Sequence, residues 1–243
     1  MTTRRILATS GGFMGTDRYE ARKPAGLFLE AMRLSGKVRP RVLFVMTASG
    51  DNNGYLAASY QAMSRLSVEA DHLSLFTMPN QDVDEAVGRA DVVWVGGGSV
   101  ANLLAVWRLH GVDDAMRGAW ERGTILAGVS AGSICWHVGG PTDSYGPTLR
   151  LETPALGLLP FGNGVHYDSE EQRRPLLHSL VGAGDLPTSY ATDDRVGILY
   201  EGTEAVSVVT DVDVDPAAGP AAYLVEKTPD GVTETRLPPG PIR

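Results

Sequence analysis

The sequence predicts an α/β protein with a mostly parallel central sheet, and three observations carry that prediction. Over the first 140 residues, short apolar runs alternate with stretches of helical spacing. The runs stop at glycine-rich turns, and in such sheets ligands bind outside the carboxyl ends of the strands. Past Val138 the pattern changes to short segments broken by proline and glycine, and the strand-like runs there read as antiparallel edge strands.

In chain order, Arg4 to Thr9 reads as a buried strand closed by Ser10-Gly11-Gly12, followed by a polar loop to about Lys23. Leu27, Phe28, Ala31, Met32 and Leu34 share one helical face, and Pro24 fits the start of that helix. A second strand, Arg41 to Ala48, runs into the loop Ser49 to Gly54 and an alanine-rich helix to about Leu66. Ala70 to Phe76 is a third strand, and Val83 to Gly88 a short helix. Asp91 to Val95 is a fourth strand, stopping at Gly96-Gly97-Gly98-Ser99. Helices at Val100 to Leu109 and Asp113 to Arg122 precede the strand Thr124 to Ala127 and a helix from Ala131 to about Val138. Later come a strand end at Asn163 to Tyr167, a helix from Glu170 to Val181, and strand runs at Val196 to Tyr200, Ala205 to Thr210 and Ala222 to Glu226. A proline-rich tail closes the chain.

A chain of 243 residues fits one domain, 1–243. Its net charge of −8 argues against non-specific nucleic-acid binding, which needs a basic face to displace counterions. No apolar run approaches the ~20 residues that span a bilayer, and the apolar stretch behind Arg4-Arg5 ends too soon for an export signal. Cys135 is the single cysteine, so neither an internal disulfide nor a thiolate metal cluster is available. These features together predict a cytoplasmic protein acting without membrane, metal or cofactor, as a monomer or homodimer.

Gly128-Val129-Ser130-Ala131-Gly132 is a strand running into a serine flanked by glycines, the form of a nucleophile elbow. A serine nucleophile needs a base, a group to orient the base, and donors for the oxyanion. His166 follows Gly162-Asn163-Gly164 where a strand meets a loop and is the candidate base; His72, His110, His137 and His178 read as surface or partly buried histidines. Asp143 gives the chain order Ser, Asp, His and is the candidate orienting acid, with Asp168, Asp193, Asp194 and Glu201 as rivals. Gly97 or Gly98, together with the Ala131 amide, are the candidate oxyanion donors. Gly96-x-Gly98-x-x-Ala101 also matches a dinucleotide fingerprint, but the next strand ends without the acidic residue that would hold a ribose. Asp211-Val212-Asp213-Val214-Asp215 fails as a calcium loop, with Pro216 and Ala222 where glycine and glutamate belong.

Three spaced motifs, Val95-Gly96-Gly97-Gly98-Ser99 with Asn102-Leu103-Leu104, Gly128-Val129-Ser130-Ala131-Gly132-Ser133, and Gly157-Leu158-Leu159-Pro160 leading to His166 and Glu171-Gln172-Arg173, resemble the peptidase E (aspartyl dipeptidase) family of serine peptidases, related to cyanophycinases. The resemblance covers most of the chain and implies a flavodoxin-like three-layer sandwich similar to class I glutamine amidotransferases, with serine in place of their cysteine. It implies Ser130 as nucleophile, His166 as base, Asp143 as acid, and exopeptidase action on dipeptides or short peptides. In that family an arginine just ahead of the Glu-Gln-Arg run recognises an N-terminal aspartate, and here that position is Glu170. Either Arg173, Arg174 or Arg195 supplies the cation instead, or the first residue is asparagine, neutral or basic rather than strictly aspartate. Two other readings compete: an α/β-hydrolase-type esterase, and a non-catalytic small-molecule-binding protein on an amidotransferase-like scaffold.

Overall fold

The computed structural model describes residues 3–17, 22–211, 215 and 217–242. The first half comprises β1 (Arg5–Thr9), β2 (Phe13–Gly15), β3 (Arg22–Pro24), α1 (Gly26–Leu34), β4 (Arg41–Val45), α2 (Asn53–Met63), β5 (Glu69–Leu73), α3 (Val83–Arg89), β6 (Val92–Val95), α4 (Val100–His110) and α5 (Val112–Arg122). The second comprises β7 (Ile125–Val129), α6 (Ala131–Ile134), β8 (Gly140–Thr142), β9 (Arg150–Glu152), β10 (Gly162–Gly164) and α7 (Arg173–Ala183). It continues with β11 (Ser189–Thr192), β12 (Val196–Glu201), β13 (Glu204–Thr210), β14 (Ala222–Thr228), β15 (Gly231–Leu237) and β16 (Gly240–Pro241).

Eight strands form the main sheet in the order β16-β13-β12-β1-β7-β6-β4-β5. From β1 to β5 the pairs are parallel; β12, β13 and β16 add an antiparallel edge. The strands alternate their burial between two faces. Ile6, Leu43, Val45, Val93 and Val95 pack with Leu103, Trp107, Met116 and Trp120 of α4 and α5. Leu7, Val42, Phe44, Val92 and Trp94 pack with Phe28 and Ala31 of α1 and Leu56 and Met63 of α2. Because both faces are covered, these strands carry no polar stripe, which is why they read as continuous apolar runs. The arrangement is a three-layer, flavodoxin-like sandwich. Strand order reverses where β4 leads outward to β5 and the chain returns to β6, so a crevice opens between the ends of β4 and β6.

Several elements depart from the sequence expectation. Within the polar loop expected to Lys23, residues 13–15 and 22–24 pair as a hairpin, and Pro24 ends β3 rather than opening α1. The helix after Ser130 stops at Ile134, and the helix expected from Glu170 begins at Arg173. Only β12, β13 and β16 extend the main sheet; β14 joins a separate sheet in the order β10-β11-β14-β15, against which Leu177, Leu180 and Val181 of α7 pack. Part of the expected tail forms β15, because Val232, Thr233 and Thr235 are β-branched and pair with β14 in the stretch between Pro229 and Pro238. Of the weighed calcium stretch, residues 212–214 and Pro216 lie outside the described residues, as do Met1 and Thr2 of the leader reading.

Cys135 is fully buried as a packed small residue, and burial raises its thiol pKa well above the usual range. His137 is also fully buried, its Nδ1 donating to the Ser133 carbonyl at 2.9 Å and its Nε2 accepting from the Tyr200 hydroxyl at 3.3 Å. Burial disfavours the imidazolium and lowers its pKa to about 4. The unfolded chain, with a histidine pKa of about 6.5, therefore binds the proton more readily, and stability falls as pH drops from 6.5 toward 4. The expected loss from this residue is about 3 kcal/mol by pH 4, read as a falling urea midpoint that His137→Gln flattens over that window.

Two glycines offer a contrast in packing. A Cβ on Gly132 would sit 2.3 Å from the Val95 carbonyl oxygen, whereas one on Gly88, exposed in α3, meets nothing within 4 Å. Gly132→Ala should cost about 1–3 kcal/mol and Gly88→Ala should gain about 0.5–1 kcal/mol, measured by chemical denaturation.

Candidate active site

Ser130 stands between β7 and α6 at φ 59° and ψ −114°, a left-handed backbone that side-chain-bearing residues rarely adopt. Close packing on both sides explains the glycines around it. A Cβ on Gly128 would fall 2.3 Å from the Gly132 carbonyl oxygen, and Gly132 itself presses on Val95. The turn is held by backbone bonds: Ser130 N–H donates to Thr9 O at 3.0 Å, and Ser130 O accepts from Ser133 and Ile134 at 2.8 and 3.0 Å. Such strain, costing about 1–3 kcal/mol, clusters at functional sites.

The loop after β6 approaches this serine from the neighbouring strand. Gly96 N–H donates to Val45 O at 3.0 Å and Ser99 N–H to Ala48 O at 2.8 Å. Between them, the amides of Gly97 and Gly98 donate to no backbone acceptor among the described residues, and nor does the Ala131 amide. A Cβ on Gly97 would lie 3.2 Å from Ser130 Cβ, a tight contact, and 3.8 Å from its Oγ, so this backbone passes close to the hydroxyl. Gly98 has φ +134° and would drive a Cβ to 2.2 Å from Ala48 O.

His166 also has a left-handed backbone, φ 51°. Its N–H donates to Ser10 Oγ at 3.1 Å, and its Nδ1 lies 2.5 Å from Asp194 Oδ1. With Nδ1 facing a carboxylate, the Nδ1–H tautomer is favoured and Nε2 is left as the proton acceptor. Asp194 is positioned in turn by its own N–H, which donates to Asp168 Oδ1 at 2.8 Å. The origin of the pair is topological. β10 and β11 are parallel neighbours with Gly164 opposite Ala191, so the residues shortly after each strand, His166 and Asp194, emerge at the same end.

The structure does not bring Asp143 to His166. Asp143 is exposed in the turn after β8, where its carbonyl accepts from Gly146 N–H at 3.0 Å, and it lines a separate hollow with Glu170, Glu171 and Gln172. Of its rivals, Asp193 is turned toward Ala221 N and the Tyr223 hydroxyl, and burial raises its pKa. Asp168 bonds the Asp194 backbone, and Glu201 pairs with Arg5 at 2.8 Å. Chain order set Asp143 first in the sequence reading, but only spatial order matters, and a parallel pairing between two very short strands leaves no periodic signal. Glu170 and Arg173 likewise bind each other rather than the cleft: Arg173 Nε donates to Glu170 Oε2 at 2.7 Å, and the same buried guanidinium bonds Pro141 O.

Phe13, Arg22, Val129 and His166 divide one cleft into two arms. One arm, about 620 Å³, runs past Ser10, Gly11, Lys23, Asp194 and Arg195. The other, about 610 Å³, runs past Met46, Asn52, Tyr55, Trp94 and the Gly96–Gly98 loop, in the crevice at the strand-order reversal. Sequence reasoning missed Ser10, read only as a turn residue, and Arg22, read as part of a loop. Among the described residues no group of three or more His, Cys, Asp or Glu side chains could hold a metal ion, and no helix is long and apolar enough to cross a membrane.

Fold and site together define an α/β protein of flavodoxin-like architecture in which a strained serine turn and a hydrogen-bonded histidine–aspartate pair are both tied to the end of β1. The model of peptidase family S51 matches residues 6–208, and the chain belongs to that family. It is 36% identical over 237 residues to the uncharacterized peptidase YgaJ of Bacillus subtilis (strain 168), covering 97% of each chain. It is 31% identical over 122 residues to peptidase E of Shewanella denitrificans, covering half of each. Among solved structures, a peptidase from an acI-B1 Actinobacterium superposes with a TM-score of 0.66 at 17% identity over 96% of both chains, a likeness of fold.

Ser10 is the buried link between the two halves of this site, its hydroxyl 2.7 Å from Thr192 Oγ1 while it accepts from His166 N–H. Ser10→Ala leaves that N–H without its acceptor and should cost about 1–3 kcal/mol, seen as a lowered urea midpoint.

Proposed function

We propose that this chain is a serine exopeptidase that hydrolyses dipeptides or short peptides through an acyl-enzyme on Ser130. What supports the reading is a strained Ser130 turn beside amides without backbone acceptors, together with an imidazole held by Asp194 in the cleft that the neighbouring Val129 lines. Ser130 Oγ attacks the first peptide carbonyl while His166 Nε2 takes its proton. The carbonyl oxygen, now negative, is met by the amides of Gly97, Gly98 and Ala131. His166 then gives the proton to the leaving amine, and a water activated the same way releases the acyl group. Asp194 replaces Asp143 as the orienting acid in this mechanism, because it is the carboxylate in contact with Nδ1. Glu170 is neutralised by Arg173 and lies outside the two arms, so selection of the first residue falls to the groups lining the arm with Tyr55 and Trp94.

The test is kinetic and chemical. Ser130→Ala should cut kcat by roughly 10⁶ on a dipeptide panel and abolish labelling by a fluorophosphonate probe. Asp194→Asn should cost about 10⁴ by stabilising the wrong tautomer, whereas Asp143→Asn should stay within a few-fold of the parent. Retention of peptide hydrolysis by Ser130→Ala overturns the proposal, and cleavage of nitrophenyl esters without any peptide cleavage would make the chain an esterase.

A further inference from the structure

The two arms of the cleft differ in charge. Lys23 and Arg195 line the arm that passes Ser10 and not the other, Arg22 stands between the two, and all three are exposed. The two carboxylates in that arm are already engaged: Asp194 with His166, and Asp211 with the amides of Gly12 and Leu27 at 2.8 and 2.7 Å. Among the described residues none of the three cations makes a side-chain hydrogen bond or salt bridge, and Arg195 is near enough to Asp211 for its charge to offset part of the pKa rise that burial gives that carboxyl. Arg22 rests its guanidinium over the Tyr55 ring, 5.9 Å from the centroid, which leaves its N–H edge free. In a chain with a net charge of −8, this hollow is unusual in that its three cations outnumber its two carboxylates.

We propose that this arm is an anion subsite that takes the free α-carboxylate of the residue on the leaving side of the scissile bond, making the enzyme select dipeptides. The inference rests on the peptidase reading of Ser130 and His166. The donors for the carbonyl oxygen, Gly97 and Gly98, line the arm with Tyr55 and Trp94, so the acyl residue occupies that arm. The leaving residue then crosses His166, which hands it a proton, into the arm of Arg195 and Lys23. In a dipeptide its carboxylate follows within one residue, about 3.8 Å of chain, whereas a longer peptide or a C-terminal amide presents a neutral group there. A guanidinium meeting a carboxylate forms charge-assisted bonds that a neutral amide cannot match.

The experiment compares kcat/KM for a dipeptide with that for its C-terminal amide, in the parent, Arg195→Gln, Lys23→Gln and the double variant, with a glutamate in the second position as a further arm. The expected result is a preference for the acid of about 10- to 100-fold in the parent, collapsing in the double variant and partly restored by Arg195→Lys. Circular dichroism confirms that each variant is folded. An equal preference in parent and double variant overturns the subsite while leaving the peptidase reading intact. A gain confined to second-position glutamate also overturns it, assigning the cations to an acidic side chain. Should no peptide be cleaved at all, the peptidase reading fails by itself. The subsite is then judged by calorimetry: tighter binding of the acid than of the amide, lost in the double variant, supports it, and equal binding overturns it.

Discussion

The end of β1 is the constraint on which the rest of this site depends. Thr9 and Ser10 are consecutive, yet they tie together three separate parts of the chain. Thr9 O receives the Ser130 amide, and Thr9 Oγ1 donates to Gly128 O at 2.9 Å, fixing both flanks of the serine turn. Ser10 takes the His166 amide on its hydroxyl, donates its own N–H to Val196 O at 2.8 Å, and receives Arg195 N–H at 3.0 Å. The Ser130 turn and His166 are therefore both referred to one buried strand end. Since a misplacement of even 1 Å is costly in catalysis, a shared anchor is an economical route to precision.

That anchor also accounts for the unusual backbone. Ser130, His166 and Arg195 all have positive φ without being glycine, and each is adjacent to this strand end. Their strain is borne by bonds that a relaxed backbone would forfeit. The glycines at 128 and 132 solve the complementary problem, letting α6 press against β6 and β7 closely enough for the Ser130 hydroxyl to meet the glycine loop.

How much of this was legible in the sequence follows the range of the interactions. The parallel strands were readable because burial on both faces leaves continuous apolar runs, and the serine turn because close packing demands glycine at fixed spacing. Gly97 and Gly98 were readable for the same reason. The place of His166 just past a short strand was legible from Gly162-Asn163-Gly164, but its contact with Asp194 was not. Asp193 and Asp194 stand side by side, and nothing local distinguishes the one that faces Ala221 from the one that faces the imidazole. The pairing of β10 with β11 decides between them, and strands of three and four residues carry too little periodicity to reveal it. The Glu170–Arg173 pair was hidden in another way: three residues apart across the turn that leads into α7, the two charges neutralise one another.

Asp194 lies in the short link between β11 and β12, where the chain passes from the smaller sheet to the larger. Ser130 belongs to the larger sheet, and the His166–Asp194 pair is positioned by the smaller. A chain emerging during synthesis can thus complete its serine turn long before β11 and β12 exist to deliver the aspartate. The serine turn and the imidazole therefore come to share their anchor on β1 only after the two sheets dock. A chain that has not yet formed β11 and β12 would carry the serine turn without the His166–Asp194 contact.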